Sequence, residues 1–209
     1  MELQHPFRVV TPTVDGDVLA VLARADAEFT PPQVHDVLGR YSEAGIRKVL
    51  GRLVEQGIVL QRPAGRAALY RLNRAHLAAP AVVALASLFD VLISRLQERI
   101  EGWHLPCAYA ALFGSAVRGE MRPDSDLDLF IVRADDIDVD GTAWRDQLDA
   151  LSSDVTAWTG NDARILEYSA DDVRREMRVR GGVLDDITAQ GLRLAGPPRY
   201  LRRPAVRGA

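Results

Sequence analysis

Leu112-Phe113-Gly114-Ser115 is followed, after a gap of ten residues, by Asp126-Leu127-Asp128-Leu129-Phe130-Ile131-Val132. The first stretch is an apolar run closed by a small-residue turn. The second is an apolar run opened by two acids at i and i+2. Side chains alternate across a strand, so Asp126 and Asp128 are expected on one face while Leu127 and Leu129 pack on the other. Adjacent carboxylates repel, and a site that keeps both usually holds a cation. With oxygen-only ligands that cation is expected to be Mg2+, whose usual partner is a nucleotide phosphate. Gly114 lets backbone approach a phosphate closely, and Ser115 offers a hydroxyl and an N–H where a helix is expected to begin. The pattern points to nucleotidyl transfer.

Outward from this stretch the chain is ordinary in bulk. Its 209 residues are 47% hydrophobic and 26% charged, enough for one large domain or two small ones. The longest apolar stretch, Val82 to Ile93, contains Asp90 and is too short to span a bilayer. The amino terminus lacks a basic-then-apolar leader pattern, and Cys107 is the one cysteine; both lead to the expectation of a cytoplasmic protein without a membrane role. The four histidines show no metal-ligand spacing. Charge is uneven: residues 1–79 carry 10 basic and 8 acidic side chains, residues 80–195 carry 12 and 21, and residues 196–209 carry 4 and none. An acidic middle suits a cation-binding enzyme and argues against a nucleic-acid surface there.

The first third reads as three helices and a hairpin. Val18, Leu19, Val21 and Leu22 have helical spacing. Thr30 caps a short helix through Leu38, with Pro31 and Pro32 in its first turn. Ser42 caps a helix whose stripe of Ile46, Val49, Leu50 and Leu53 ends at Gly57. Residues 58–62 and 68–72 then flank Pro63-Ala64-Gly65-Arg66, a strand-turn-strand signal. Residues 79–101 read as one linker helix with a broad apolar face. Beyond it come a strand over 108–113, a short helix over 115–120, a strand over 126–133, and a helix over 142–158. A strand over 163–168 and helices over 171–180 and 183–190 complete the pattern.

Two resemblances organise these elements. Residues 12–74 resemble a winged helix-turn-helix module. That likeness implies a recognition helix over 42–56 and DNA contacts from Arg47, Lys48, Arg52, Arg62 and Arg66; the other reading of those residues is solvated charge on a structural or dimerising module. The second resemblance covers residues 105–195. Phe113-Gly114-Ser115-Ala116-Val117-Arg118-Gly119-Glu120, followed by Ser125-Asp126-Leu127-Asp128-Leu129, resembles the DNA polymerase β-like nucleotidyltransferase superfamily, in particular its minimal bacterial members. The fold class expected is therefore α+β in two domains: a winged helix and a nucleotidyltransferase α/β fold with a small mixed sheet. The expected boundaries are 1–79, a linker helix at 80–104, 105–195, and a flexible basic tail at 196–209.

The second resemblance implies roles. Asp126 and Asp128 would hold one or two Mg2+ ions. Gly114, Ser115 and Arg118 would bind the phosphates of a nucleoside triphosphate, although Arg118 has Glu120 or Asp124 as rival partners. A third carboxylate on the next strand would activate the acceptor hydroxyl and help hold metal, and Glu167 is the candidate, with Asp162 its rival. The reaction implied is transfer of a nucleoside monophosphate, AMP from ATP, to a hydroxyl on a protein, RNA or small molecule. The alternatives are a DNA-binding regulator that senses nucleotide without transferring it, and a toxin–antitoxin component. A homodimer is expected by analogy with other winged helices.

Overall fold

In a computed structural model, the described residues are 1–178 and 181–201. The chain divides into two compact units, Glu2–Asp90, and Val91–Ala209 together with Met1.

The first unit opens with a 3-10 turn, Pro6–Val9, and then α1 (Val14–Arg24), α2 (Pro31–Leu38), α3 (Glu43–Glu55), β1 (Val59–Ala64), β2 (Ala67–Leu72) and α4 (Ala79–Ala86). The caps follow from the sequence. The Thr30 hydroxyl accepts from the Gln33 N–H while the Gln33 side chain accepts from the Thr30 N–H, and the Ser42 hydroxyl accepts from the Gly45 N–H. Just past α3, Gly57 takes φ +77°, the left-handed conformation that stops the helix. β1 and β2 pair antiparallel across the Gly65-Arg66 turn. Val18, Leu22, Val34, Ile46 and Leu50 are completely buried, so three amphipathic helices close one core with the hairpin against it. Buried Asp17 sits in this core because the Tyr41 hydroxyl and the Arg40 guanidinium donate to its carboxylate.

Residues 79–101 are two helices where one was expected. α4 stops at Ala86 and α5 runs Leu88–Glu101. At the joint the Ser87 hydroxyl and N–H both donate to the Val83 carbonyl, at 3.0 and 3.1 Å. No single helix among the described residues is long and apolar enough to cross a membrane.

The second unit is built on a four-stranded mixed sheet. Its strands are β3 (Cys107–Phe113), β4 (Leu127–Arg133), β5 (Ala163–Ser169) and β6 (Leu192–Ala195), in spatial order β5-β4-β3-β6. β3 lies antiparallel to β4 and β6, and β4 lies parallel to β5. β6 was not expected: four residues after Gly191 give too short a pattern to read, and only their pairing with β3 defines them. The helices are α6 (Ser115–Arg118), α7 (Thr142–Thr159), α8 (Ala170–Glu176) and α9 (Val183–Gln190). The helix expected over 171–180 is thus shorter, and Arg180 lies outside the described residues. α7 supplies the buried Trp144, Leu151 and Val155. On one sheet face Tyr109, Ala111, Phe130, Val132, Leu166 and Tyr168 pack with Val173, Leu184 and Ile187 of α8 and α9. The segment expected to be a free tail begins in contact with this core. Leu201 is buried there and Tyr200 stacks on Tyr109 at 5.3 Å; residues 202–209 lie outside the described residues.

Candidate active site

β3 ends at Phe113, and the chain must turn at once into α6. Gly114 makes that turn with φ +74° and ψ −151°, a conformation closed to side-chain-bearing residues. A second constraint acts on the same residue. Asp128, the β4 partner of Phe113, holds its carboxylate directly over Gly114, where a β-carbon would stand 3.0 Å from the carboxyl carbon and overlap Oδ2. The glycine is therefore required both by its own backbone and by the acid packed above it.

Asp126 lies one residue before β4 and is exposed; Asp128 lies inside the strand and is half-buried. Burial pushes the Asp128 carboxyl above its ordinary value and the charge of Asp126 adds to the push, while Arg164 and Arg118 pull it down. The loop that delivers both acids is clamped from behind. Buried Asn161 donates through Nδ2 to the carbonyls of Pro123 at 3.2 Å and Ser125 at 2.8 Å. The Leu127 N–H donates to the Asp162 carbonyl at 2.8 Å. Nothing in the local sequence around Asn161 says which carbonyls it would meet.

The third carboxylate expected on β5 is not at this site. Parallel pairing sets Asp128 opposite Arg164, Phe130 opposite Leu166, Ile131 opposite Glu167 and Val132 opposite Tyr168. Phe130, Val132, Leu166 and Tyr168 share one core cluster, which fixes the face of the even-numbered residues on both strands. Glu167 therefore projects to the other face. Its Oε1 accepts there from Trp144 Nε1 at 2.9 Å and from Arg133 Nε at 3.1 Å. Alternation along β5 was legible, but its register against β4 was not, and register decides the face. Asp162, the rival candidate, is exposed and precedes β5. On the Asp128 face, β5 presents Arg164, Leu166 and Tyr168.

Ser115 is the first residue of α6, and Arg118 its last. Arg118 is turned to an acid already: Nε donates to Glu120 Oε2 at 2.8 Å, which holds the guanidinium pKa up. The pairing with Glu120 considered from the sequence is thus the one formed.

Among the described residues no group of three histidine, cysteine or acidic side chains converges. Two carboxylates beside a glycine-serine turn nevertheless fit Mg2+, which is commonly held by one or two protein acids with phosphate oxygens and water completing its shell.

The five basic residues expected at a nucleic-acid surface are all exposed, but three are already paired. Arg47 Nε donates to Glu43 at 2.9 Å, Arg52 Nε to Asp15 at 3.1 Å and Arg62 Nε to Glu28 at 3.1 Å. Among the described residues Lys48 and Arg66 have no ion-pair partner. Arg47 and Arg66 border, with Thr30, Pro31 and Gln61, a groove of about 450 Å³.

Residues 95–155 match the family described as "Nucleotidyltransferase domain", a span that carries β3, α6, both acids and most of α7. No curated protein matches the chain. Two solved structures are similar to it. One is described as a toxin–antitoxin with AMP-PNP, at 17% identity over 52% of this chain and 80% of that one, with a TM-score of 0.37. The other is a mutant of the toxin–antitoxin MntA-HpeT, at 14% identity over 52% and 77%, with a TM-score of 0.36.

Proposed function

We propose that the second unit is an Mg2+-dependent nucleotidyltransferase that moves AMP from ATP to a hydroxyl on a protein, RNA or small-molecule acceptor. The observation that carries this reading is the Asp128 carboxylate lying across Gly114 at the head of α6, with Asp126 beside it, inside the span that matches the nucleotidyltransferase domain. Asp126 and Asp128 would hold the ion. When bound, Mg2+ supplies positive charge that neutralises the phosphates as pyrophosphate leaves. The backbone N–H and hydroxyl of Ser115 would hold phosphate oxygens at the turn, and Gly114 admits them at close range.

Incubation with α-labelled ATP, CTP, GTP and UTP, Mg2+ and cell lysate tests the proposal. Label on a protein, RNA or small molecule, lost in Asp126→Ala/Asp128→Ala, supports it. Absence of label from every fraction overturns transfer.

A second reading has its own support. β5 offers a guanidinium, and no acid, on the Asp128 face, so this strand supplies no carboxylate there to take the proton of an acceptor hydroxyl. This favours a nucleotide sensor coupled to a winged helix in the first unit. Arg47, Lys48, Arg52, Arg62 and Arg66 would be its DNA contacts. Equilibrium binding of ATP without label transfer, together with salt-sensitive DNA binding that weakens in Lys48→Ala/Arg66→Ala, marks the sensor.

A further inference from the structure

We propose that Arg164 is a phosphate-binding residue of the nucleotide site, gripping the triphosphate from the β5 side; the inference rests on the nucleotide reading above. Three observations and a charge argument converge. The parallel register puts Arg164 directly beside Asp128, and the shared core of Phe130, Leu166, Val132 and Tyr168 fixes both on one face. Arg164 is exposed at the start of β5, and its charge acts on Asp128, the acid that lies over Gly114. It acts on Asp128 through charge alone: among the described residues it has no hydrogen-bonded or ion-paired acid, whereas Arg118 is bonded to Glu120. The half-buried Asp128 and its neighbour Asp126 repel a bare triphosphate, so a guanidinium on their face adds attraction for the ligand beside that of the metal.

A guanidinium suits that task. Its planar fork matches two phosphate oxygens at once and stays charged at every relevant pH. The competing assignment is a charge partner for Asp128 with no contact to ligand, and the two differ in sign. A phosphate ligand adds nucleotide affinity in proportion to the phosphates reached. A mere partner of Asp128 competes with metal, so its removal tightens metal binding and spares the nucleotide.

The test is equilibrium binding of ATP, ADP and AMP in Mg2+ to the full chain by calorimetry, with Mg2+ alone titrated in parallel. Arg164→Ala is expected to weaken ATP roughly tenfold to a hundredfold, the worth of a charged hydrogen-bonded contact, and to affect AMP least. Arg164→Lys is expected to recover part of the loss and Arg164→Asp to deepen it. Unchanged far-ultraviolet circular dichroism and melting temperature in Arg164→Lys keep the comparison free of folding effects. ATP affinity in Arg164→Ala equal to that of the natural protein, or Mg2+ binding that tightens while ATP is unaffected, overturns the assignment and leaves the nucleotide reading standing. A natural protein that binds no nucleotide overturns both.

Discussion

Asp128 and Glu167 are both carboxylates on neighbouring parallel strands, three positions out of step, and they lead different lives. Asp128 shares its face with Gly114 and Arg164 and has burial and Asp126 raising its pKa. Glu167 faces the opposite side, where Trp144 and Arg133 satisfy Oε1. One acid is left with unspent capacity for a cation, and the other is a fastener between β5, β4 and α7. The difference teaches that the type of residue on a strand says little about function until register assigns it a face.

The largest effect expected separates these two acids. Asp128→Ala is expected to weaken Mg2+-ATP binding by at least about a hundredfold, because even residues that only support a metal ligand are worth 10–100-fold. Glu167→Ala is expected to leave that affinity unchanged while lowering unfolding free energy by about 1–3 kcal/mol, since the Trp144 N–H and Arg133 would lose their acceptor. Calorimetric titration and denaturant melts read both. A Glu167→Ala protein that folds as well as the parent yet no longer binds nucleotide would return Glu167 to the site.

Next in size is Gly114→Ala. The new β-carbon would meet the Asp128 carboxylate in a backbone already at φ +74°, so strain of about 1–3 kcal/mol accompanies displacement of the acid. Nucleotide affinity should fall with stability, whereas Gly39→Ala, also at positive φ but with open space around it, should cost stability alone. Equal nucleotide loss in both variants would mean that the Gly114–Asp128 contact has no special weight.

The local pieces of the site could be read from the chain, an apolar run closed by Gly-Ser and two acids opening a second apolar run. So could the caps at Thr30 and Ser42, whose partners lie three residues away. What escaped reading is non-local. That Asp128 lies over Gly114 comes from the pairing of β3 with β4. Register between β4 and β5 put Arg164 where an acid was expected, and β6 exists only through β3. Asn161 became a clamp because carbonyls 36 and 38 residues earlier come within its reach. The break between α4 and α5 at Ser87 lies within a run of good helix formers, which reads as one helix.

Asn161 offers a smaller, more discriminating test. Asn161→Ala leaves the Pro123 and Ser125 carbonyls without their donor, at a cost of about 1–3 kcal/mol, and frees the loop that carries Asp126. Asn161→Asp keeps the shape but replaces the donor by an oxygen that repels those carbonyls. Both variants should weaken Mg2+-ATP less than Asp128→Ala does. If the aspartate variant binds as tightly as the parent, the clamp does not position the acids.

A third carboxylate sharpens the contrast from the other direction. Asp172, in the first turn of α8, closes a reciprocal cap: the Ser169 hydroxyl and N–H donate to Asp172 Oδ2 at 2.6 and 2.9 Å, while the Asp172 N–H donates to the Ser169 hydroxyl at 3.1 Å. The Ser169 side chain first, then its backbone N–H, hold the Asp172 carboxyl down to about 2, against an ordinary 3.8. Bonded donors thus lower one acid on this unit, whereas burial beside a like charge raises Asp128. A folded-state pKa below the unfolded one means that the contribution is fully present above pH 3.8 and is lost as pH falls toward about 2. Because the side chain is 39% exposed, solvent screening limits its worth to about 1 kcal/mol, the size of an ordinary cap. Asp172→Asn should therefore be less stable than the parent at neutral pH, with the gap closing on acidification through that window. Chemical melts at a series of pH values measure the gap, and one that stayed constant down to pH 2 would mean that the cap does not depend on the ionised carboxylate.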